Sequence, residues 1–167
     1  GPAVVMVAHD TYGTGRGSLI SLLTDIFSRR YTVRIDFDTL SGHGSQSQYN
    51  EWLVDNLLVA VDEAQELGGA QSRWHARHNA YEHLKKIIDP AAREIEVKRK
   101  GVKNGKGRTY ASILVATNHS DALVIPANDR RIAVLENGAP RPQSYWDVFH
   151  HWRLQPGNIG AFVEAVL

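Results

Sequence analysis

Asp62 and Glu63 end the apolar run Leu57-Leu58-Val59-Ala60-Val61, and upstream of them lies the glycine-rich turn Tyr12-Gly13-Thr14-Gly15-Arg16-Gly17-Ser18. In that order the two features point to nucleotide hydrolysis. A glycine turn between a strand and a helix aims backbone N–H groups and the positive helix end at phosphate oxygens. Two carboxylates at the tip of a buried strand can hold Mg2+ and polarise an attacking water. Ser18 supplies a hydroxyl for the metal shell, and Asp62 a carboxylate. Two residues depart from the usual phosphate-loop pattern: Asp10 stands where the first glycine belongs, and Arg16 where lysine belongs. Arginine keeps the charge but not the compact ammonium. The plain alternatives are a helix N-cap turn without ligand and a solvated strand end.

These groups need strands and helices to position them. Ala3 to Ala8 is a continuous apolar stretch and reads as a buried strand. It leads through the turn into Leu19, Ile20, Leu22, Leu23, Ile26 and Phe27 at helical spacing. Tyr31 to Phe37 alternates as a half-buried strand, Ser41 to Ser45 is a loop, and Tyr49 to Asn56 is a short helix before the strand Leu57 to Val61. Gln71 to Ile88 reads as a helix ending near Pro90. Glu94 to Ser112 reads as a hairpin whose turn spans Gly101 to Gly107 and whose return strand runs through Thr109 and Tyr110. Ile113 to Ala116 is a third buried strand and Arg131 to Leu135 a fourth. Two short helical patterns separated by Pro156-Gly157 complete the chain. Buried strands alternating with helices imply an α/β fold with a parallel sheet covered on both faces.

At 167 residues the chain fits one domain. It has no cysteine, which excludes a disulfide framework and thiolate metal sites. No run is long and apolar enough to span a membrane, so no membrane partner and a cytoplasmic location are expected. Gly1-Pro2 resembles a tag-cleavage scar. The net charge of +1 hides a local imbalance: six of the 19 lysines and arginines lie between Lys98 and Arg108, with no acid among them. Lys98, Arg99, Lys100, Lys103, Lys106 and Arg108 are therefore candidate phosphate contacts for nucleic acid, the alternative being a solvated hairpin.

Asn118, at the end of the strand Ile113 to Ala116, can hydrogen-bond both a water and a γ-phosphate; a simple turn is the alternative. Arg130 and Arg131 are surface charges or, in an oligomer, arginines reaching a neighbour's γ-phosphate. His75, His78 and His83 lack further ligands and read as helix surface or core.

The series of motifs resembles the superfamily 3 helicase domain of phage and plasmid primase-helicase proteins. The resemblance rests on Tyr12 to Leu19, on Tyr49-Asn50-Glu51-Trp52-Leu53 leading to Leu58 to Glu63, on the basic hairpin, on Ala116 to Leu123, and on Asn128-Asp129-Arg130-Arg131. It implies a P-loop NTPase of AAA+-like architecture, a three-layer sandwich with an inserted basic β-hairpin at 94–112. The core would span 3–141, followed by a helical segment at 142–167. The resemblance further implies ATP and Mg2+ as cofactors and a homo-oligomeric ring, commonly a hexamer, moving 3′ to 5′ on single-stranded DNA. Gly13, Thr14, Gly15, Arg16, Gly17, Ser18 and Leu19 would bind the nucleotide, Ser18 and Asp62 the metal. Glu63, Asn118 and Arg130 or Arg131 would serve catalysis. A nucleotide- and DNA-binding module without unwinding activity and a small-molecule kinase are the alternatives.

Overall fold

Period-two alternation in the apolar strands builds a sheet with two buried faces. The computed structural model describes residues 3–8, 10–42, 48–62, 70–88, 94–119 and 121–167, with the backbone alone at 62, 70–74 and 76. In chain order the elements are β1 (Val4–Ala8), α1 (Arg16–Phe27), β2 (Thr32–Ile35), α2 (Phe37–Ser41), β3 (Leu58–Asp62), α3 (Ala70–Ile88), β4 (Ile95–Val97), β5 (Gly105–Gly107), β6 (Ser112–Thr117), β7 (Ile132–Glu136), α4 (Gln143–Arg153) and α5 (Asn158–Val166). Five strands form a wholly parallel sheet in the order β2-β3-β6-β1-β7, and β4 pairs antiparallel with β5.

Successive residues of β1, β3 and β6 go to opposite faces. Val4, Met6, Val59, Val61, Ile113 and Val115 pack with Phe37 and Leu40 of α2 and with Ala80, Tyr81, Leu84 and Ile87 of α3. Val7, Leu58, Ala60, Leu114 and Ala116 pack with Ile20 of α1, flanked by Leu19, Leu23 and Phe27. Ile20 is fully buried, and burying such a side chain stabilises the fold by about 1.5–3 kcal/mol. The result is an α/β fold with helices on both faces of a parallel sheet. Helices α4 and α5 hold no buried residue and lie against α1.

Local chemistry moves several expected boundaries. Strand β2 stops at Ile35 because the Asp36 carboxylate accepts the Thr39 N–H at 2.7 Å and caps α2, so Phe37 belongs to a helix. The segment before β3 contains only a 3-10 turn, Glu51–Leu53. The return strand of the hairpin is Gly105–Gly107, not Thr109 and Tyr110. A Cβ at Gly107 would lie 2.7 Å from Val97 and 2.8 Å from Val54, so only glycine lets β5 close on β4 at that point. Strand β7, expected to be buried, exposes every residue after Ile132, with Val134 and Leu135 more than half exposed. Among the described residues it is an edge strand, paired only with β1.

Candidate functional site

Parallel pairing carries the ends of β1, β3 and β6 to one edge of the sheet. Ala8 is level with Thr117, and Asp62 with Ala116, so the glycine turn, the acidic strand end and Asn118 converge there. Ligands of open parallel sheets bind at this carboxyl edge. The turn is shaped by Gly13 and Gly15 at φ +75° and +87°, a region glycine enters without steric cost. Gly15 is the N-cap of α1, whose first turn contains no acid to neutralise its positive end.

A cavity of about 600 Å3 opens in front of the turn, lined by residues 12–18 together with Ser21, Arg34, Ala116, Thr117, Asn118, Gln143, Trp146 and His150. The Arg16 guanidinium donates to the Thr11 carbonyl at 3.2 Å and to Asn118 Oδ1, so the two expected phosphate-facing groups orient each other. Ser18 Oγ lies 3.2 Å from His150 Nε2. Thr14, only 7% exposed, has an Oγ1 without a hydrogen-bond partner among the described residues.

The segment after β7 forms the outer wall. Asn137 Nδ2 donates to the Thr14 carbonyl at 2.6 Å, while the Arg141 N–H and Trp146 Nε1 both donate to the Gly13 carbonyl at 3.3 Å. The Trp146 ring lies directly over Gly15, where a Cβ would fall 1.9 Å from Trp146 Cη2. Sequence reasoning passed over Asn137, Arg141, Trp146, His150, Gln143 and Arg34. Trp146 and His150, four residues apart, share a helix face, a signal visible in the sequence, but nothing local says which surface that face meets.

Of the residues expected to bind nucleotide, Gly13 to Ser18 line the cavity, whereas Leu19 packs into the core beside Ile20. Asp62 ends β3 at this edge. Glu63 lies outside the described residues. Among the described residues no group of three or more His, Cys, Asp or Glu gathers in a metal-binding arrangement.

The basic hairpin sits at the other end of the sheet, where its return leg feeds the start of β6. Lys98, Lys100, Lys103, Lys106 and Arg108 are exposed and Arg99 is half-buried. Asn50 clamps the strand leading into it: its side chain donates to the Glu96 carbonyl at 2.8 Å and accepts the Lys98 N–H at 2.7 Å. Arg99 lies 3.9 Å from Glu51, and Lys106 pairs with Glu94 at 3.3 Å.

Arg130 and Arg131 precede β7 and therefore also lie at the amino edge, away from the cavity. Arg131 pairs with the buried Asp129 side chain at 3.3 Å. Asp129 also accepts from the Tyr81 hydroxyl at 2.7 Å and from the backbone N–H groups of Arg131 and Ile132. Burial alone would raise its pKa, but these donors outweigh burial and hold the carboxyl below the ordinary aspartate value. Burial and the bond to Asp129 push the Tyr81 hydroxyl up.

A family model matches residues 9–131. The chain belongs to DUF5906, a family of unknown function. The match takes in the glycine turn, β3, the hairpin, Asn118 and the arginine pair, but stops short of the wall formed by Asn137, Trp146 and His150. A DNA primase-polymerase of Nitratiruptor phage NrS-1 is 27% identical over 135 residues, covering 80% of this DUF5906 chain but 17% of the phage protein. Two apo structures of the NrS-1 C-terminal region share the fold. One has a TM-score of 0.66 at 22% identity, over 94% of this chain and 35% of that one. The other has a TM-score of 0.63 at 20% identity, over 95% and 34%. The chain thus spans about a third of the solved region. Among the described residues no helix is long and apolar enough to cross a membrane.

These likenesses overturn the superfamily 3 helicase reading. The matching family is DUF5906, and the relative is a primase-polymerase. Helicase, ATP-binding and hydrolase are no longer the supported functional classes. The physical reason is that a glycine turn beside acidic and amide strand ends describes how a site handles phosphate, while the reaction or movement coupled to it depends on parts those motifs do not contain.

Proposed function

We propose that this chain is a nucleotide- and DNA-binding module of a primase-polymerase-type replication protein. The observation that carries the reading is the cavity at the carboxyl edge, where the glycine turn at the start of α1 meets Arg16, Arg34 and His150. Such a site suits the polyphosphate of a nucleoside triphosphate, because a helix N-terminus and guanidiniums both favour phosphate oxygens. Its place after a strand and before a helix supports a phosphate-loop type of site within the α/β fold.

Mg2+ fits this arrangement through water and phosphate oxygens rather than an all-protein cage. Ser18 and Asp62, with Glu63 next in sequence, are its proposed holders. When bound, the ion neutralises phosphate charge. Arg16 anchors Asn118 so that its amide meets the terminal phosphate, and His150 holds the Ser18 hydroxyl in place. At the amino edge the exposed hairpin cations contact the phosphate backbone of DNA, the class of molecule the related phage enzyme is named for.

Calorimetric titration of a non-hydrolysable nucleoside triphosphate with Mg2+ tests the reading. The unaltered chain is expected to bind at micromolar levels, and Arg16→Ala to bind at least tenfold more weakly, the effect of losing one charge-assisted phosphate contact. Equal affinity of the two proteins would overturn the assignment.

A further inference from the structure

The glycine turn accounts for only part of the cavity at the carboxyl edge. At about 600 Å3 the cavity falls within the range of pockets that enclose whole small-molecule ligands, roughly 300–1,000 Å3. A triphosphate bound at the helix start leaves room beside it. The lining there is of a different kind: besides glycines, hydroxyls and cations it carries the rings of Tyr12 and Trp146, planar surfaces that phosphate has no use for.

The two rings reach the cavity from distant parts of the chain. Tyr12 opens the glycine turn and is 76% exposed. A lone exposed tyrosine is ordinary on a protein surface, but this one stands in the lining of a cavity that holds a second ring. Trp146 comes from α4, a helix without buried residues, and is itself half-buried. Its orientation is set before any ligand arrives. Nε1 donates to the Gly13 carbonyl at 3.3 Å, the six-membered ring rests on Gly15, and Tyr145 and Phe149 meet the indole edge-to-face at 5.0 and 6.2 Å. Bracing the turn explains the two glycine contacts. It does not explain why the indole also borders the cavity. A ring fixed in advance loses little side-chain freedom when a flat ligand group lands on it.

From this we infer that Tyr12 and Trp146 form a nucleobase subsite, so that the cavity takes a whole nucleoside triphosphate, with the base on the rings and the phosphates at the glycine turn. The inference rests on the glycine-turn reading for the position of the phosphates. Stacking tolerates any base, because every base has a π face. The subsite therefore separates nucleotides from bare polyphosphate rather than one base from another. Trp146 lies beyond the family-matched residues 9–131, so the phosphate half sits in the shared part of the chain and one of the two rings comes from the segment after it.

Calorimetry with Mg2+ compares dGTP with inorganic tripolyphosphate on the unaltered chain, Tyr12→Ala, Tyr12→Phe, Trp146→Ala, Trp146→Phe and Arg16→Ala. A site that reads charge alone favours tripolyphosphate, the more highly charged ligand. The unaltered chain is instead expected to bind dGTP about tenfold more tightly, as one stacked base provides. Tyr12→Ala and Trp146→Ala should each lower that ratio by about threefold or more, while the two phenylalanine variants keep it because a ring remains. Tyr12 is exposed, so its variants should fold whatever the loss of Trp146 does to the turn. Equal or weaker binding of dGTP by the unaltered chain, or a ratio that Tyr12→Ala leaves unchanged, overturns the subsite. If Arg16→Ala weakens both ligands while Tyr12→Ala leaves their ratio alone, the glycine-turn reading stands and the subsite falls. If Arg16→Ala changes neither ligand and Tyr12→Ala still lowers the ratio, the subsite stands and that reading falls.

Discussion

The two ends of the sheet handle charge in opposite ways. At the carboxyl edge the groups facing the cavity are tied down: half-buried Arg16 is bonded to Thr11 and Asn118, Ser18 to His150, and the turn is held to the chain after β7 through Asn137, Arg141 and Trp146. At the amino edge the hairpin cations stand in solvent around a two-stranded ribbon of three-residue strands. A walled site recognises a ligand by shape and donor direction as well as by charge. An exposed basic ribbon recognises only the density of negative charge, and salt screens it strongly. The two ends are suited to different partners, a compact polyphosphate and an extended polyanion.

The largest effect is expected from Gly15→Ala. The new Cβ would overlap the Trp146 ring at a backbone angle that favours glycine, at a cost of about 3 kcal/mol from strain and overpacking together. Denaturant unfolding reads this directly, and an unchanged midpoint would show that Trp146 does not brace the turn. Next, Arg16→Ala should cost about 2 kcal/mol of nucleotide affinity while leaving DNA affinity unchanged; a matching loss for DNA would merge the two ends into one surface.

Replacing Lys100, Lys103 and Arg108 together with glutamine should do the reverse. The slope of log affinity for single-stranded DNA against log salt should shrink by about 2, given roughly 0.7 per phosphate contact, with nucleotide binding untouched. A constant slope would remove the hairpin from the DNA path. The smallest effect concerns Asp129, the enclosed acid of the amino edge. Because its folded pKa is depressed, its stabilisation is fully present above the ordinary value of about 3.9 and is lost as pH falls below it through the folded value. Asp129→Asn should cost about 1 kcal/mol at neutral pH, and the gap to the unaltered protein should close in acid. A pH-independent gap would contradict the charge argument.

Much of the frame was legible in the sequence. The apolar runs ending at Ala8, Val61 and Ala116 are strands, and residues 19, 20, 23 and 27 mark the buried side of α1, because burial on both faces leaves continuous apolar runs. The convergence of the glycine turn, Asp62 and Asn118 followed from parallel strands. The misplaced return strand and the exposed β7 have a different origin. Gly107 looks like turn residue until Val54 and Val97 press against it, and Ile132-Ala133-Val134-Leu135 looks buried until its place in the strand order is known. The helicase reading failed for another reason: its motifs describe phosphate handling, which different replication proteins need alike.

By itself the sequence determined the buried strands β1, β3 and β6, the helix after the glycine turn, and where positive charge concentrates, because these depend on neighbours along the chain. Only the tertiary structure decided that Trp146 and His150 wall the cavity and that Arg130 and Arg131 stand at the far edge. Most of those relations join residues tens to more than a hundred positions apart, and they are set by strand order and helix packing, which no local pattern encodes.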